Sequence, residues 1–242
     1  MMTGLQTAKK ELRGKIRNVL QQVPAESITN QSKTVANRLF SLAEYRNAKR
    51  IGVYLSMPAG ELSTTAIVQD ALTSGKEVFV PYIHTAQMPS QPKTSVMDML
   101  ALDSMDEFQS LARDRWGIPS LTKDQVSSKR NCFGGIGIAS DATEETATKG
   151  DWGLDLIVMP GMAFDNGFRR LGHGKGYYDR FLKRYLKCAE TDMPTPKMPS
   201  LVALALREQL LSPPEEIPVA QHDWPVDIIL VGDDRCLVRQ QH

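Results

Sequence analysis

The residues best suited to chemistry lie together between Gly167 and Asp179, in the string GFRRLGHGKGYYD. Glycines allow the backbone to approach a ligand closely, and Arg169, Arg170 and Lys175 add positive charge. A helix beginning at Tyr177 would contribute unpaired N–H groups and the positive end of its dipole. Together these features describe an anion site, with phosphate as the first candidate. Two familiar templates are broken. In a Walker A loop the second glycine is followed by lysine, but Gly172 is followed by His173. The dinucleotide fingerprint needs glycine where Tyr177 stands, so Gly172, Gly174 and Gly176 give G-x-G-x-G. A P-loop NTPase and a Rossmann dehydrogenase are both unsupported. A lone G-x-G-x-G is more often a flexible basic loop, but here two adjacent tyrosines and Asp179 share the turn.

The elements that must position this loop can be read from periodicity. Leu154 to Met159 is a short apolar run closed by Pro160-Gly161, which predicts a buried strand ending in a turn. Tyr178, Phe181, Leu182, Tyr185 and Leu186 recur at helical spacing, so a helix follows the loop. Upstream, Leu5, Ala8, Leu12, Ile16 and Leu20 predict an amphipathic helix whose cations form a solvated face. A second helix is expected over Ile28 to Ala43. Arg50 to Ser56 reads as the first strand, followed by a helix capped by Ser63 or Thr64 and a strand over Glu77 to Tyr82. That strand–helix–strand unit predicts parallel pairing with a right-handed crossover. Thr85 to Ser95 reads as a connector, Val96 to Leu102 as a strand, and Ser104 as the cap of a short helix. Leu201 to Leu206 and Val226 to Val231 complete the buried strands. The expected fold is α/β: a three-layer α/β/α sandwich around a mostly parallel sheet, with an N-terminal helical pair. The chain is expected to form a single domain over 1–242, with a flexible insertion at 121–151.

Composition narrows the classes. The 242 residues carry 29 basic and 28 acidic side chains, a net charge of +1, which gives no global attraction to nucleic acid or an anionic membrane. No apolar run approaches the ~20 residues needed to cross a bilayer. Cys132, Cys188 and Cys236 are odd in number and lack C-x-x-C spacing, so neither a disulfide framework nor a zinc site is indicated. The expected compartment is the cytoplasm, with mitochondria left open. The expected state is a monomer.

Four features fall on loops or element starts, in the order KKELR, YLSM with Glu61, RLGHGKGYYD, and DWPVD beginning at Asp223. This series resembles the 5-formyltetrahydrofolate cyclo-ligase family, also called methenyltetrahydrofolate synthetase, over nearly the whole chain. The resemblance implies an enzyme of one-carbon metabolism that uses ATP and Mg²⁺ to convert 5-formyltetrahydrofolate, expected in polyglutamylated form, to 5,10-methenyltetrahydrofolate. It implies ATP binding by Lys9, Lys10 and Arg13 and by Arg170, Leu171, Gly172, His173, Gly174, Lys175, Gly176, Tyr177 and Tyr178. Arg170, Lys175 and Tyr177 are its catalytic candidates. Leu55, Met57, Glu61, Trp116 and Tyr177 would contact the folate, and Asp179 and Asp223 would hold Mg²⁺. His173 stands where the family commonly has arginine or an aromatic residue. The alternative is a phosphate-ligand or nucleotide-binding module that uses the same loop without turnover.

Overall fold

The computed structural model describes residues 4–86, 94–138, 152–192 and 197–240. Helices α1 (Gly4–Leu20), α2 (Ala25–Ser41) and α3 (Ala43–Asn47) lead into strand β1 (Arg50–Val53). Helix α4 (Thr65–Thr73), strands β2 (Glu77–Ala86) and β3 (Thr94–Leu102), and helix α5 (Met105–Ser110) follow. A small hairpin, β4 (Ala112–Arg113) with β5 (Pro119–Ser120), precedes the helical turn α6 (Lys123–Val126). Next come β6 (Leu156–Met159), β7 (Ala163–Phe164), β8 (Arg170–Leu171) and α7 (Tyr177–Asp192). The chain closes with β9 (Ser200–Ala205), β10 (Ile228–Val231) and β11 (Cys236–Val238).

Seven strands form the main sheet in the order β11-β10-β9-β6-β1-β2-β3. The five central strands pair in parallel, and β3 and β11 are antiparallel edges. Alternation along the strands explains the layers, because successive side chains leave opposite faces. Ile51, Val53, Val78, Val80, Leu156, Val158, Val202 and Leu204 face a core shared with α1 to α4. Phe79, Met99, Ile157, Met159, Leu201 and Ala203 face a second core filled by Phe181, Leu182 and Tyr185 of α7. The three-layer sandwich and the N-terminal helical pair are therefore present.

Two segments differ from their sequence reading. The expected connector at 85–95 is shortened, because β2 runs to Ala86 and β3 begins at Thr94; the pair Thr85↔Ser95 belongs to the ladder. Alternating small polar residues lowered the apolar signal there without preventing strand pairing. Of the insertion at 121–151, residues 121–138 are described and folded. Arg130 O accepts from Ala101 N at 2.9 Å, Cys132 N donates to Met99 O at 3.0 Å, and Asn131 and Cys132 are buried. The segment lies along the open edge of β3, a common way to cover an exposed ladder. Its backbone bonds are irregular, so its sequence shows no period. Residues 139–151 lie outside the described residues.

Candidate active site

The chain runs outward from β1 to β2 and β3 on one side, then returns to place β6, β9 and β10 on the other. The strand order thus reverses between β1 and β6, and crevices of open α/β sheets form at the carboxyl ends of such strands. The loop after β1 carries Met57 and Glu61, and the loop after β6 begins the path to the glycine-rich segment. A cleft of about 1290 Å³ opens there, lined by both loops and by residues of α1, α2 and α4.

The glycine-rich loop is held from both ends. Asp165, almost wholly buried, accepts N–H bonds from Gly167 at 2.9 Å, Arg169 at 3.1 Å and Ile217 at 2.8 Å. This aspartate shapes the β7–β8 turn and leaves Arg170 opposite Phe164. The D-N-G turn signature at Asp165 was readable in the sequence and was not singled out. The Arg170 side chain, 4% exposed, reaches Asp179 in the first turn of α7 at 3.0 Å and lies 5.6 Å from the Tyr178 ring. Gly174 and Gly176 take φ of +97° and +64°, a region costly for other residues. Arg170 Nε and the Tyr178 hydroxyl are buried without a hydrogen-bond partner among the described residues.

Helix α1 lies against this loop. Arg13 Nε donates to Gly172 O at 2.8 Å, and Lys9 pairs with Asp223. Arg17 lines the cleft, so Lys9, Arg13 and Arg17 form a stripe at i, i+4 and i+8. Arg17 was missed by sequence reasoning, although its spacing from Arg13 carried the signal. Burial lowers the Arg13 pKa from its ordinary value and the Asp223 charge opposes that; the guanidinium remains charged at neutral pH. Burial would raise the Asp223 carboxyl, but the Ala220 N–H and Lys9 outweigh it and hold the pKa low.

Glu61 is 8% exposed and accepts the Met57 N–H at 2.8 Å. Burial pushes its carboxyl up to about 7, and the Met57 bond only partly offsets this. His173, on the glycine loop, lines the same cleft as Met57, Glu61 and Trp116. Its imidazole keeps solvent access, but packing at the cleft wall followed by Arg170, Arg17 and Arg13 lowers its pKa. Trp116 is 56% exposed, with the Arg115 guanidinium 3.9 Å from its ring centre.

Other expected site residues stand apart. Leu55 is buried in the core and does not line the cleft. Lys10 and Lys175 are exposed and have no ion-pair partner among the described residues. Tyr177 is half-buried, with Arg180 5.4 Å from its ring. Asp179 and Asp223 adjoin, since Asp179 accepts the N–H of Trp224 at 3.3 Å. Each carboxylate is paired with a cation. Two hard oxygen ligands beside a cationic loop suit a magnesium ion that retains waters and takes further ligands from phosphate. No cluster of three or more potential metal ligands occurs among the described residues.

Fold and cleft together define an α/β protein with a large cleft at the switch point of an open, mostly parallel sheet. A family model described as the 5-formyltetrahydrofolate cyclo-ligase family matches residues 5–232, and the chain belongs to that family. The mouse 5-formyltetrahydrofolate cyclo-ligase is 34% identical over 94% of this chain and 95% of its own length. The Saccharomyces cerevisiae 5-formyltetrahydrofolate cyclo-ligase is 30% identical over 93% of this chain and 95% of its own. A mitochondrial relative from Arabidopsis thaliana, with the same enzyme name, is 26% identical over 92% of this chain and 73% of its own. The solved 5,10-methenyltetrahydrofolate synthetase of Aquifex aeolicus superposes with a TM-score of 0.63 at 24% identity. It covers 97% of this chain and 94% of its own, and supports the fold. Among the described residues no helix is long and apolar enough to cross a membrane.

Proposed function

We propose that the protein converts 5-formyltetrahydrofolate and ATP to 5,10-methenyltetrahydrofolate, ADP and phosphate. The observation that carries this reading is that His173 of the glycine-rich loop and the buried carboxylate of Glu61 both stand in the wall of one cleft. A formyl oxygen is a poor leaving group. In the proposed sequence it attacks the γ-phosphorus as the bond to ADP breaks. N10 then bonds to the formyl carbon and loses its proton, and phosphate departs with the former formyl oxygen. Such chemistry needs positioning and charge neutralisation more than a covalent nucleophile.

The residues are assigned as follows. The N–H groups from Leu171 to Tyr178 and the side chains of Lys9, Lys10, Arg13, Arg170 and Lys175 bind the triphosphate. Arg170 and Lys175 neutralise charge on the transferred group, and Tyr177 closes over the reacting atoms. Glu61 accepts N–H bonds from the pterin, while Met57 and Trp116 flank its flat face. Asp179 and Asp223 would hold Mg²⁺, which when bound supplies charge neutralisation at the phosphate oxygens. Their present partners, Arg170 and Lys9, are then available to phosphate.

The test is to mix protein, ATP, Mg²⁺ and 5-formyltetrahydrofolate and follow the near-ultraviolet absorbance of the methenyl product. The expected result is absorbance rising in step with ADP release. ATP and folate binding without either signal would sink the proposal in favour of a binding module. Arg170→Ala and Lys175→Ala are each expected to lose at least about 100-fold in kcat, within the range for removing a transition-state donor.

A further inference from the structure

The β7–β8 hairpin hands the chain from the sheet to the glycine-rich loop, and its ladder is short: Ala163 pairs with Leu171 and Phe164 with Arg170. Its turn runs from Asp165 to Phe168, closed by Phe168 N donating to Asp165 O at 3.0 Å, with Phe168 at φ +60°. Inside the turn stands Asn166-Gly167, the one Asn-Gly pair of the sequence. Both residues are exposed, and the Asn166 carboxamide has no hydrogen-bond partner among the described residues. A Cβ at Gly167 would lie 2.7 Å from Arg169 Nε. That guanidinium is tied to Glu216 and Asp165, so the turn keeps a glycine after the asparagine.

Such a pair has a reaction of its own. The backbone nitrogen of Gly167 loses its proton and attacks Asn166 Cγ, closing a succinimide ring as the carboxamide nitrogen leaves as ammonia. Water then opens the ring at either carbonyl. The product is an aspartyl residue or an isoaspartyl link, which carries an extra methylene in the main chain. Glycine favours the attack because no Cβ shields its nitrogen. In the folded turn the attack is opposed. The Gly167 N–H donates to Asp165 Oδ1 at 2.9 Å, and the same oxygen accepts the Arg169 N–H at 3.1 Å. A carboxylate in that position favours the protonated nitrogen and repels the negative charge that ring closure must develop.

We propose that Asn166 is a deamidation site gated by the hairpin. Ring closure is suppressed while Asp165 holds Gly167, proceeds when the turn opens, and then keeps the turn from re-forming. The new charge lies next in the chain to the buried Asp165 carboxylate, and an isoaspartyl link lengthens the main chain between Asp165 and the N–H groups of Gly167 and Arg169. Arg170, four residues beyond Asn166, then loses its place opposite Phe164 and beside Asp179. A weakened hold on ATP is the consequence; that part rests on the proposed function, whereas the modification does not.

The test holds wild-type protein, native or unfolded in urea, in warm, mildly alkaline buffer and follows the Asn166 peptide by mass for carboxylate in place of carboxamide and for isoaspartate. The unfolded chain should convert at least about tenfold faster, as expected when the reactive form is a minor open population of the native protein. Asp165→Asn, which keeps an acceptor but removes the charge, should move the native rate toward the unfolded one. If that variant does not fold, urea below the global transition should speed conversion of native wild type instead. Equal rates in native and unfolded wild type, or an unfolded chain that does not convert, would overturn the site. Converted protein, separated by its added negative charge, should have a lower Tm and a KM for ATP raised at least about tenfold, while Asn166→Gln aged alongside should keep both values. Converted protein with wild-type Tm and KM would remove the switch. Should the protein turn over no folate, the mass and Tm readings still decide the proposal.

Discussion

At the scale of single residues, Glu61 is the carboxyl whose surroundings conflict most with its charge. It is nearly buried, its pKa lies at about 7 instead of near 4.5, and its hydrogen-bond partner among the described residues is Met57 N. Because the folded-state pKa is the higher one, the native protein holds this proton more tightly than the unfolded chain. Its effect on stability is therefore fully favourable below pH 4.5, declines as pH rises, and is flat above about 7. The full swing is on the order of 3 kcal/mol. Glu61→Gln should remove that slope, so in urea denaturation the variant gains on wild type by roughly this amount between pH 4 and pH 8. Equal pH dependence in the two proteins would disprove the assignment. A ligand N–H offered to the ionised carboxylate would supply the missing partner. In wild type, kcat/KM for the folate should thus rise with pH through about 7, and in Glu61→Gln the rise should be absent.

At the scale of elements, helix α1 turns one stripe of cations, Lys9, Arg13 and Arg17, toward the glycine loop, Asp223 and the cleft, and the rest toward the surface. Sequence periodicity located the helix and its apolar face, but it treated the cations as one solvated group. Which of them were functional depended on what the helix docks against, and α1 lies beside a loop more than 150 residues away in the chain, as the Arg13 to Gly172 bond shows. The same limit explains why Arg17, Lys33 and Arg113 come to line one cleft only once α1, α2 and β4 are folded. The glycine loop, by contrast, was legible because its residue types and spacing are contiguous. Comparing two cations of α1 tests the division of labour. Arg13→Ala removes a partly buried hydrogen bond to the loop and a charge proposed to face phosphate, so KM for ATP should rise about tenfold or more. Lys15→Ala removes a pair whose side chains are 56% and 49% exposed; ATP kinetics should be unchanged and stability within about 0.5 kcal/mol of wild type. Equal effects on KM for ATP would mean that α1 acts only through its net charge.

At the scale of the molecule, the parallel sheet separates the cleft from the anchoring contacts, because loops at the carboxyl ends of its strands line the cleft while their amino ends tie the layers together. Tyr185 is the clearest anchor. It is 1% exposed, packs between Trp152 and Phe133, and its hydroxyl accepts the Leu154 N–H at 2.6 Å and donates to Leu154 O at 3.3 Å. Leu154 precedes β6, so this contact pins α7 to the end of the strand away from the cleft, roughly 13 Å from the turn at Pro160 by strand rise. Tyr185→Phe keeps the ring and leaves a buried N–H without its partner, a loss of about 1–3 kcal/mol. For a chain of this size that corresponds to a Tm lower by very roughly 2–12 °C. Because the cleft, the Arg13 contact and the Arg170 to Asp179 pair all lie at the other end of the sheet, kcat and KM measured well below the new Tm should match wild type. A fall in kcat at unchanged Tm would show instead that α7 transmits the position of Tyr185 to Asp179 at its first turn, and that anchoring and chemistry in this fold are one mechanical unit.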